Sequence, residues 1–295
     1  CKHTITGTSA RAVSGSAAFV ITGSASSNIT FSNNITYLMS GVHLSIAVTT
    51  GTWTADSNLM MMSALLGSAN DLAVLSDVGG TFTNNTLVGS TGTGSIKLQE
   101  LNGVLGTFSG NICHGASDSG ILLASGGMTG TITSQTCYRC TVAGILFGSP
   151  AVTNVINTTI NFTTGTLFGN AVAGIYFITG GGSPSFSGYT IDAGTTLTQP
   201  VGIGFGRVSN HGTCGSPIFE NTTMGQTTTH ATGDVQVFTS GNVQARFRNC
   251  LFGSATEVAT QTALDSESYI SSAKHDQTAG NHKAWFRFGT ITIDT

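Results

Sequence analysis

Apolar and polar positions recur along this chain in a two-part phrase. The first part is a glycine followed by a short apolar run: Gly41-Val42-His43-Leu44, Gly120-Ile121-Leu122-Leu123, Gly144-Ile145-Leu146-Phe147, Gly174-Ile175-Tyr176-Phe177, Gly202-Ile203-Gly204-Phe205 and, more loosely, Gly233-Asp234-Val235-Gln236-Val237. Asp71-Leu72-Ala73-Val74 and Ser95-Ile96-Lys97-Leu98 fill the interval between the first two. The second part is an aromatic residue or Ile, often with an Asn close behind, and an aliphatic residue four or five positions on. It runs from Phe31 to Ile35 across Asn33 and Asn34, from Phe82 to Leu87 across Asn84 and Asn85, and from Phe108 to Ile112 across Asn111. Later instances are Ile132 to Cys137, Ile156 to Ile160, Phe186 to Ile191, Phe219 to Met224 and Phe247 to Leu251.

Each part reads as a short strand with alternate residues turned inward. Gly and Asn fall where the chain must turn, because both tolerate left-handed backbone angles. A unit of roughly two dozen residues that repeats in this way predicts a solenoid. The predicted fold is all-β, a right-handed parallel β-helix of about nine coils, with strands stacked at about 4.8 Å. It spans 1–253, with the phrases clear from about Gly15, and it puts Phe stacks inside and Asn ladders at the turns. Strands of a β-sandwich also alternate with Gly-rich turns, but they have no reason to repeat one phrase.

The coils from Gly144, Gly174 and Gly202 are longer, which predicts loops at Thr163–Val172, Gly180–Pro184 and Ser209–Pro217. Such insertions either form a binding face or are merely tolerated. After Gly253 the phrase stops. Residues 254–295 are expected to be a C-terminal cap, an oligomerisation segment or the start of a following domain. They hold a helix-compatible stretch, Ser254–Ile270, and a strand-like one, Trp285–Ile293. Opening on Cys1 and closing on Ile291-Thr292-Ile293-Asp294-Thr295 suggests a piece of a longer chain, with a lipid-anchored Cys1 as the lesser alternative.

Composition narrows the function. Charged residues are 8% of the chain, against roughly 25% in ordinary domains. Polarity comes instead from hydroxyls and amides, which suits an extracellular or virion surface. A net charge of −3 supplies no basic patch for nucleic acid. No apolar run approaches the ~18 residues of a membrane span.

Candidate chemistry is sparse. Cys113 and Cys137 lie one coil apart, so a disulfide between Cys113 and either Cys137 or Cys140 is a candidate, with free buried thiols as the alternative. Cys137-Tyr138-Arg139-Cys140 has metal-ligand spacing but no second pair to complete a zinc site. Glycosylation sequons stand at Asn28, Asn34, Asn84, Asn157, Asn161 and Asn221. Asp192 and Glu220 are weak candidates for a catalytic carboxylate pair. No cofactor is expected. The motifs of pectinase-like hydrolases are missing, and Asn210-His211-Gly212 is their nearest echo.

Through its Gly-apolar and Phe-x-x-Asn phrases, the stretch from 15 to 253 resembles the right-handed parallel β-helix repeat proteins, including phage tailspike and fibre shafts. The segment Lys274-His275-Asp276 through Phe286-Arg287-Phe288-Gly289-Thr290 is similar to the close of such a region in phage-type structural proteins. The resemblance implies structure or adhesion more than hydrolysis, because glycan-cleaving tailspikes carry acid clusters missing here. The expectation is a non-enzymatic structural or adhesive protein of a virion (tail fibre, spike or decoration) or an extracellular surface, self-associating and able to meet a surface glycan. A self-assembling extracellular filament or adhesin subunit and a polysaccharide-degrading β-helix enzyme are the alternatives.

Overall fold

The computed structural model describes residues 2–6, 9–11, 19–23, 27–39, 42–48, 51–62, 73–76, 80–89, 99–102, 104–123, 127–148, 159–178, 182–195, 199–206, 216–237, 245–254, 258–260, 269–270 and 274–275. All regular structure among them is β-strand. Every strand pairing is parallel, and each strand bonds its counterpart one repeat away: Phe31 lies opposite Ala55, Phe82 opposite Phe108, and Ile145 opposite Ile175. The chain is therefore a parallel β-solenoid, as its phrases predict. The coil count differs from the expected nine: the shorter sheet stacks ten strands.

Each coil contributes to two sheets. The shorter sheet is built from the Gly-apolar phrases, such as Ser119–Leu123, Ala143–Phe147, Ala173–Phe177 and Val201–Phe205. The longer sheet takes the Phe phrases, often as two short strands either side of a turn, such as Thr81–Thr83 and Thr86–Val88. Two pieces of the register differ from expectation. Phe162 to Leu167, and not Ile156 to Ile160, stands above Ile132 to Cys137. The Trp53-Ala55-Asn58-Met60 coil fits between the Phe31 and Phe82 coils, although it has no Phe to announce it.

Inside, a column of large side chains rises from Phe31 and Ala55 through Phe82, Phe108, Ile132, Phe162, Phe186 and Phe219 to Phe247, all buried. Phe186 is sandwiched between Phe162 (centroids 4.6 Å apart) and Phe219 (5.0 Å) in near-parallel stacks. The Ile and Phe side chains of the shorter sheet close the core from the other side, with Phe147 and Phe177 stacked at 4.3 Å. Between Leu122 and Val201 the shorter sheet is buried on its outward side too, where Leu146, Tyr176 and Ile178 form a second apolar cluster. Burial on both faces explains why these strands read as unbroken apolar runs.

The repeated glycine of this phrase is not a turn residue. Gly120, Gly144 and Gly174 lie within strands, and a β-carbon on each would come within 2.8–2.9 Å of the carbonyl oxygen of Gly144, Gly174 and Gly202 respectively. Close approach of stacked backbones selects glycine there. Left-handed angles are instead taken at the turn of the longer sheet by Asn33, Ser57, Asn84, Gly110, Ser134, Thr164, Gly188, Asn221 and Asn249, one per coil.

Of the expected loops, Thr163–Val172 is mostly strand, Asn161–Phe168, followed by a turn. Gly180–Pro184 is described only from Gly182 onward, and Ser209–Pro217 only at Ser216 and Pro217. In-register pairing continues past Gly253: Val258–Thr260, Tyr269–Ile270 and Lys274–His275 bond the preceding coil, so the helix-compatible stretch holds strands. The rest of 254–295, including Trp285–Ile293, lies outside the described residues.

Candidate functional site

Because side chains alternate in and out along each strand, the inward Phe column is flanked by two outward ones. One runs Thr30, Thr54, Thr81, Thr107, Thr131, Asn161, Ser185; the other runs Ser32, Asp56, Thr83, Ser109, Thr133, Thr163, Ser187. All are half-buried or exposed. Neighbouring rungs bond along the columns: Thr83 Oγ1 donates to Asp56 Oδ1 at 2.6 Å, and the Thr133 and Thr163 hydroxyls share a bond of 2.9 Å. The Thr83 hydroxyl, with smaller help from Ser57 and Asn84, holds the Asp56 carboxyl below its ordinary pKa. Past Ser185 and Ser187 the columns change to Ile218 and Arg246, and to Glu220 and Arg248.

Beyond the turn, a second pair of outward columns carries Ile35, Leu59, Thr86, Ile112, Thr136, Thr166, Thr190, and next to it Tyr37, Met61, Val88, His114, Tyr138, Phe168, Asp192. His114, Tyr138 and Phe168 stack at 4.5 and 4.8 Å. Their rings face one another along the rod, so their edges point to solvent. Burial, with a smaller contribution from Arg139, lowers the His114 pKa.

Interior polar groups form two ladders. At the first turn Asn58 Oδ1 accepts from Asn34 N and Nδ2, Asn85 Oδ1 accepts from Asn58 N and Nδ2, and Asn111 Oδ1 accepts from Asn85 N and Nδ2, all at 2.9–3.1 Å. Asn58, Asn85 and Asn111 each also give an amide hydrogen to a backbone carbonyl, of Phe31, Ala55 and Phe82 respectively. At the second turn, Asn170 Oδ1 accepts from Cys140 N, Asn170 Nδ2 donates to Gln199 Oε1, and Gln199 Nε2 meets His230 Nε2 at 3.2 Å. His230 Nδ1 lies 2.7 Å from Asp234 Oδ1, and the same oxygen accepts from Ser254 Oγ.

Ser254, His230 and Asp234 are the residue types of a hydrolytic triad, and sequence reasoning missed the cluster. Its wiring is different. A triad places the serine hydroxyl on the histidine nitrogen that does not hold the carboxylate, whereas here Ser254 binds Asp234 and that nitrogen is held by Gln199. All of it is buried, so no substrate reaches the hydroxyl. The cluster satisfies a coil end. Its sequence signal was slight: Asp234 occupies the position that the Gly column gives to Gly202 one coil earlier.

The sequence-derived candidates fall as follows. Asp192 and Glu220 stand on opposite sides of the turn, Glu220 aligned with Ser187 and Asp192 one residue past the aligned pair Ile191 and Met224. They are therefore not one coil apart on one face. Asp192 Oδ1 accepts from Thr227 N, and Glu220 pairs with Arg248 at 3.0 Å on the surface. Cys113 and Cys137 are in register, as the spacing predicted, but Cys113, Cys137 and Cys140 are buried free thiols. A hydrogen bond with Cys113 and then burial push the Cys137 thiol well up, and burial does the same to Cys140. Neither is a ready nucleophile or metal ligand. Among the described residues no group of His, Cys, Asp and Glu is arranged to hold a metal ion.

Of the sequons, Asn28, Asn84, Asn161 and Asn221 are exposed. Asn34 is 1% exposed with its amide committed to the ladder, so it is no acceptor in the folded chain. Asn157 lies outside the described residues. Compared with family models, characterised proteins and solved structures, the chain matches none of them.

What this arrangement offers chemically is a rigid rod, its interior polar groups largely spent on its own backbone, with long neutral columns of hydroxyl on one sheet. The signal for those columns is visible in the sequence once the inward Phe is known: Thr81-Phe82-Thr83, Thr107-Phe108-Ser109, Thr131-Ile132-Thr133 and Ser185-Phe186-Ser187 repeat a hydroxyl on both sides.

Proposed function

We propose that the chain is a non-enzymatic structural or adhesive shaft, belonging to a virion fibre, spike or decoration or to an extracellular surface. The observation that carries this reading is the run of in-register neutral hydroxyl columns along a stack whose buried amides are bonded rung to rung. Such a rod resists bending and solubilises itself without charge, which is what a shaft requires. The separation of Asp192 from Glu220 argues against a glycoside-cleaving pair, since both carboxyls must flank one bond. The likeness to phage tailspike and fibre shafts stays part of this proposal, as do self-association and contact with a surface glycan.

The test is a glycan panel read two ways, with light scattering alongside. Retention on a glycan without release of reducing ends, from a self-associated chain, is the expected result. Product release that Asp192→Ala or Glu220→Ala abolishes would overturn the reading in favour of an enzyme. A strictly monomeric chain that binds no glycan would overturn it as well.

A further inference from the structure

The two outward columns beside the Phe stack also form a regular two-dimensional grid, a regularity beyond what solubility asks of a shaft. From Thr81 to Ser187 they repeat hydroxyl on hydroxyl in both directions, with Asn161 the single amide. Parallel pairing without a register slip in the Thr81–Thr83 and Thr107–Ser109 rungs sets the spacing. It is about 4.8 Å from rung to rung and about 6.6 Å between the two columns, two residues along an extended strand. The grid carries no formal charge over these rungs, and charge bounds it at both ends, at Asp56 one rung before Thr83 and at Glu220, Arg246 and Arg248 after Ser185 and Ser187.

Physical chemistry limits what such a grid binds. One threonine hydroxyl exchanging water for a ligand hydroxyl gains little net free energy. A small soluble ligand collects few such bonds and loses its own freedom on binding. It is also better held in a concave pocket than on an open sheet face. Anions and cations find nothing to pair with. The partner that profits is itself a fixed periodic array of neutral donors and acceptors, whose molecules have already lost their freedom to move, so many weak bonds add without a new ordering cost.

From this grid we infer that the outward face flanked by Thr81 to Ser185 and Thr83 to Ser187 is an ice-binding surface: it docks on crystalline water, whose oxygens repeat on the same scale of a few ångströms. The threonine methyl groups serve the same end, because a hydroxyl beside an apolar group holds its neighbouring waters in an ordered cage that freezes onto the lattice. Contacts such as that between Thr133 and Thr163 fix the rotamers and leave each oxygen a further lone pair for ice. The inference does not depend on the adhesive reading, since a chain that binds no glycan still presents this face.

The experiment uses the whole chain in three forms, each checked for the unaltered β-sheet circular dichroism spectrum: unsubstituted, Thr107→Lys with Thr131→Lys, and Thr166→Lys. Thr107 and Thr131 are exposed in the middle of the grid, whereas Thr166 is exposed beyond the turn. Ice shaping, freezing-point hysteresis and partition into a slowly growing ice hemisphere are measured. The unsubstituted chain and Thr166→Lys are expected to shape ice and concentrate in it, and the double variant to lose most of both. Absence of hysteresis and of ice partition in the unsubstituted chain overturns the inference. So does activity that the double variant keeps, or a double variant whose loss accompanies the break-up of an oligomer. Retention on crystalline cellulose without any effect on ice would reassign the grid to a solid polysaccharide and overturn the inference, while leaving the adhesive reading standing.

Discussion

The early coils and the late coils close the same turn by different means. Through Asn111, the residue after each left-handed position is an asparagine, and the Asn58 and Asn85 amides bond the asparagines on either side. Later the same position holds Gln135, Gly165, Tyr189, Thr222 and Cys250, and the amide ladder is gone. Gly165 makes room for its neighbour, because a β-carbon there would sit 2.6 Å from the Tyr189 ring. Polar bonding moves to the second turn, where Asn170, Gln199 and His230 take it up. The late coils compensate at the first turn with bulk: Phe162, Phe186, Phe219 and Phe247 stack without a gap, whereas the early column is interrupted by Ala55. One backbone geometry is thus held by directed hydrogen bonds in one half and by aromatic packing in the other.

Perturbing each half should expose that contrast. Phe186→Ala removes a ring packed on both faces and is expected to cost about 4 kcal/mol, the largest loss, read as a lower urea midpoint. Asn85→Leu strips the ladder of a rung and strands the Asn58 backbone N–H. It should cost about 3 kcal/mol, whereas Thr222→Val in the same column of the late half should cost only about 1 kcal/mol. Equal losses at Asn85 and Thr222 would remove the contrast.

Acid should act first on the early half. His43 is buried with Nδ1 on the Thr36 hydroxyl and, among the described residues, no partner for Nε2, and burial lowers its pKa to about 4 from 6.5. The unfolded chain binds a proton there more readily than the folded one, so this stability is full above about 6.5 and is lost as pH falls towards 4. A loss on the order of 2 kcal/mol across that window, flattened by His43→Gln, is expected in unfolding titrations. The smallest effect belongs to Glu220 and Arg248, whose exposed pair should show a coupling of under about 1 kcal/mol in a double-mutant cycle, shrinking with salt.

Much of this organisation was legible in the sequence because a solenoid writes its period into the chain: the Gly-apolar and Phe phrases, the Asn at turns and the one-coil spacing of Cys113 and Cys137 all follow from like residues stacking on like. The coil of Trp53 and Ala55 was not legible, since packing there accepts another aromatic–small combination. Ile156 to Ile160 mimicked a phrase that Phe162 to Leu167 in fact supplies. The hydroxyl columns were hidden by their ordinariness, because Thr and Ser beside a Phe acquire meaning only when the register puts each above the next.

By itself, then, the sequence determined the parallel stacked architecture, its inward aromatic column and its shortage of charge, because each is a local pattern repeated until no other fold accommodates it. Only the tertiary structure decided that the recurring glycines answer to a neighbouring carbonyl, that Asn34 is a ladder rung and not a surface acceptor, that Asp192 and Glu220 lie on opposite sides of a turn, and that His230, Asp234 and Ser254 meet. Those facts depend on which residues of separate coils face each other. A shift of a single residue in register would turn every side chain to the other face.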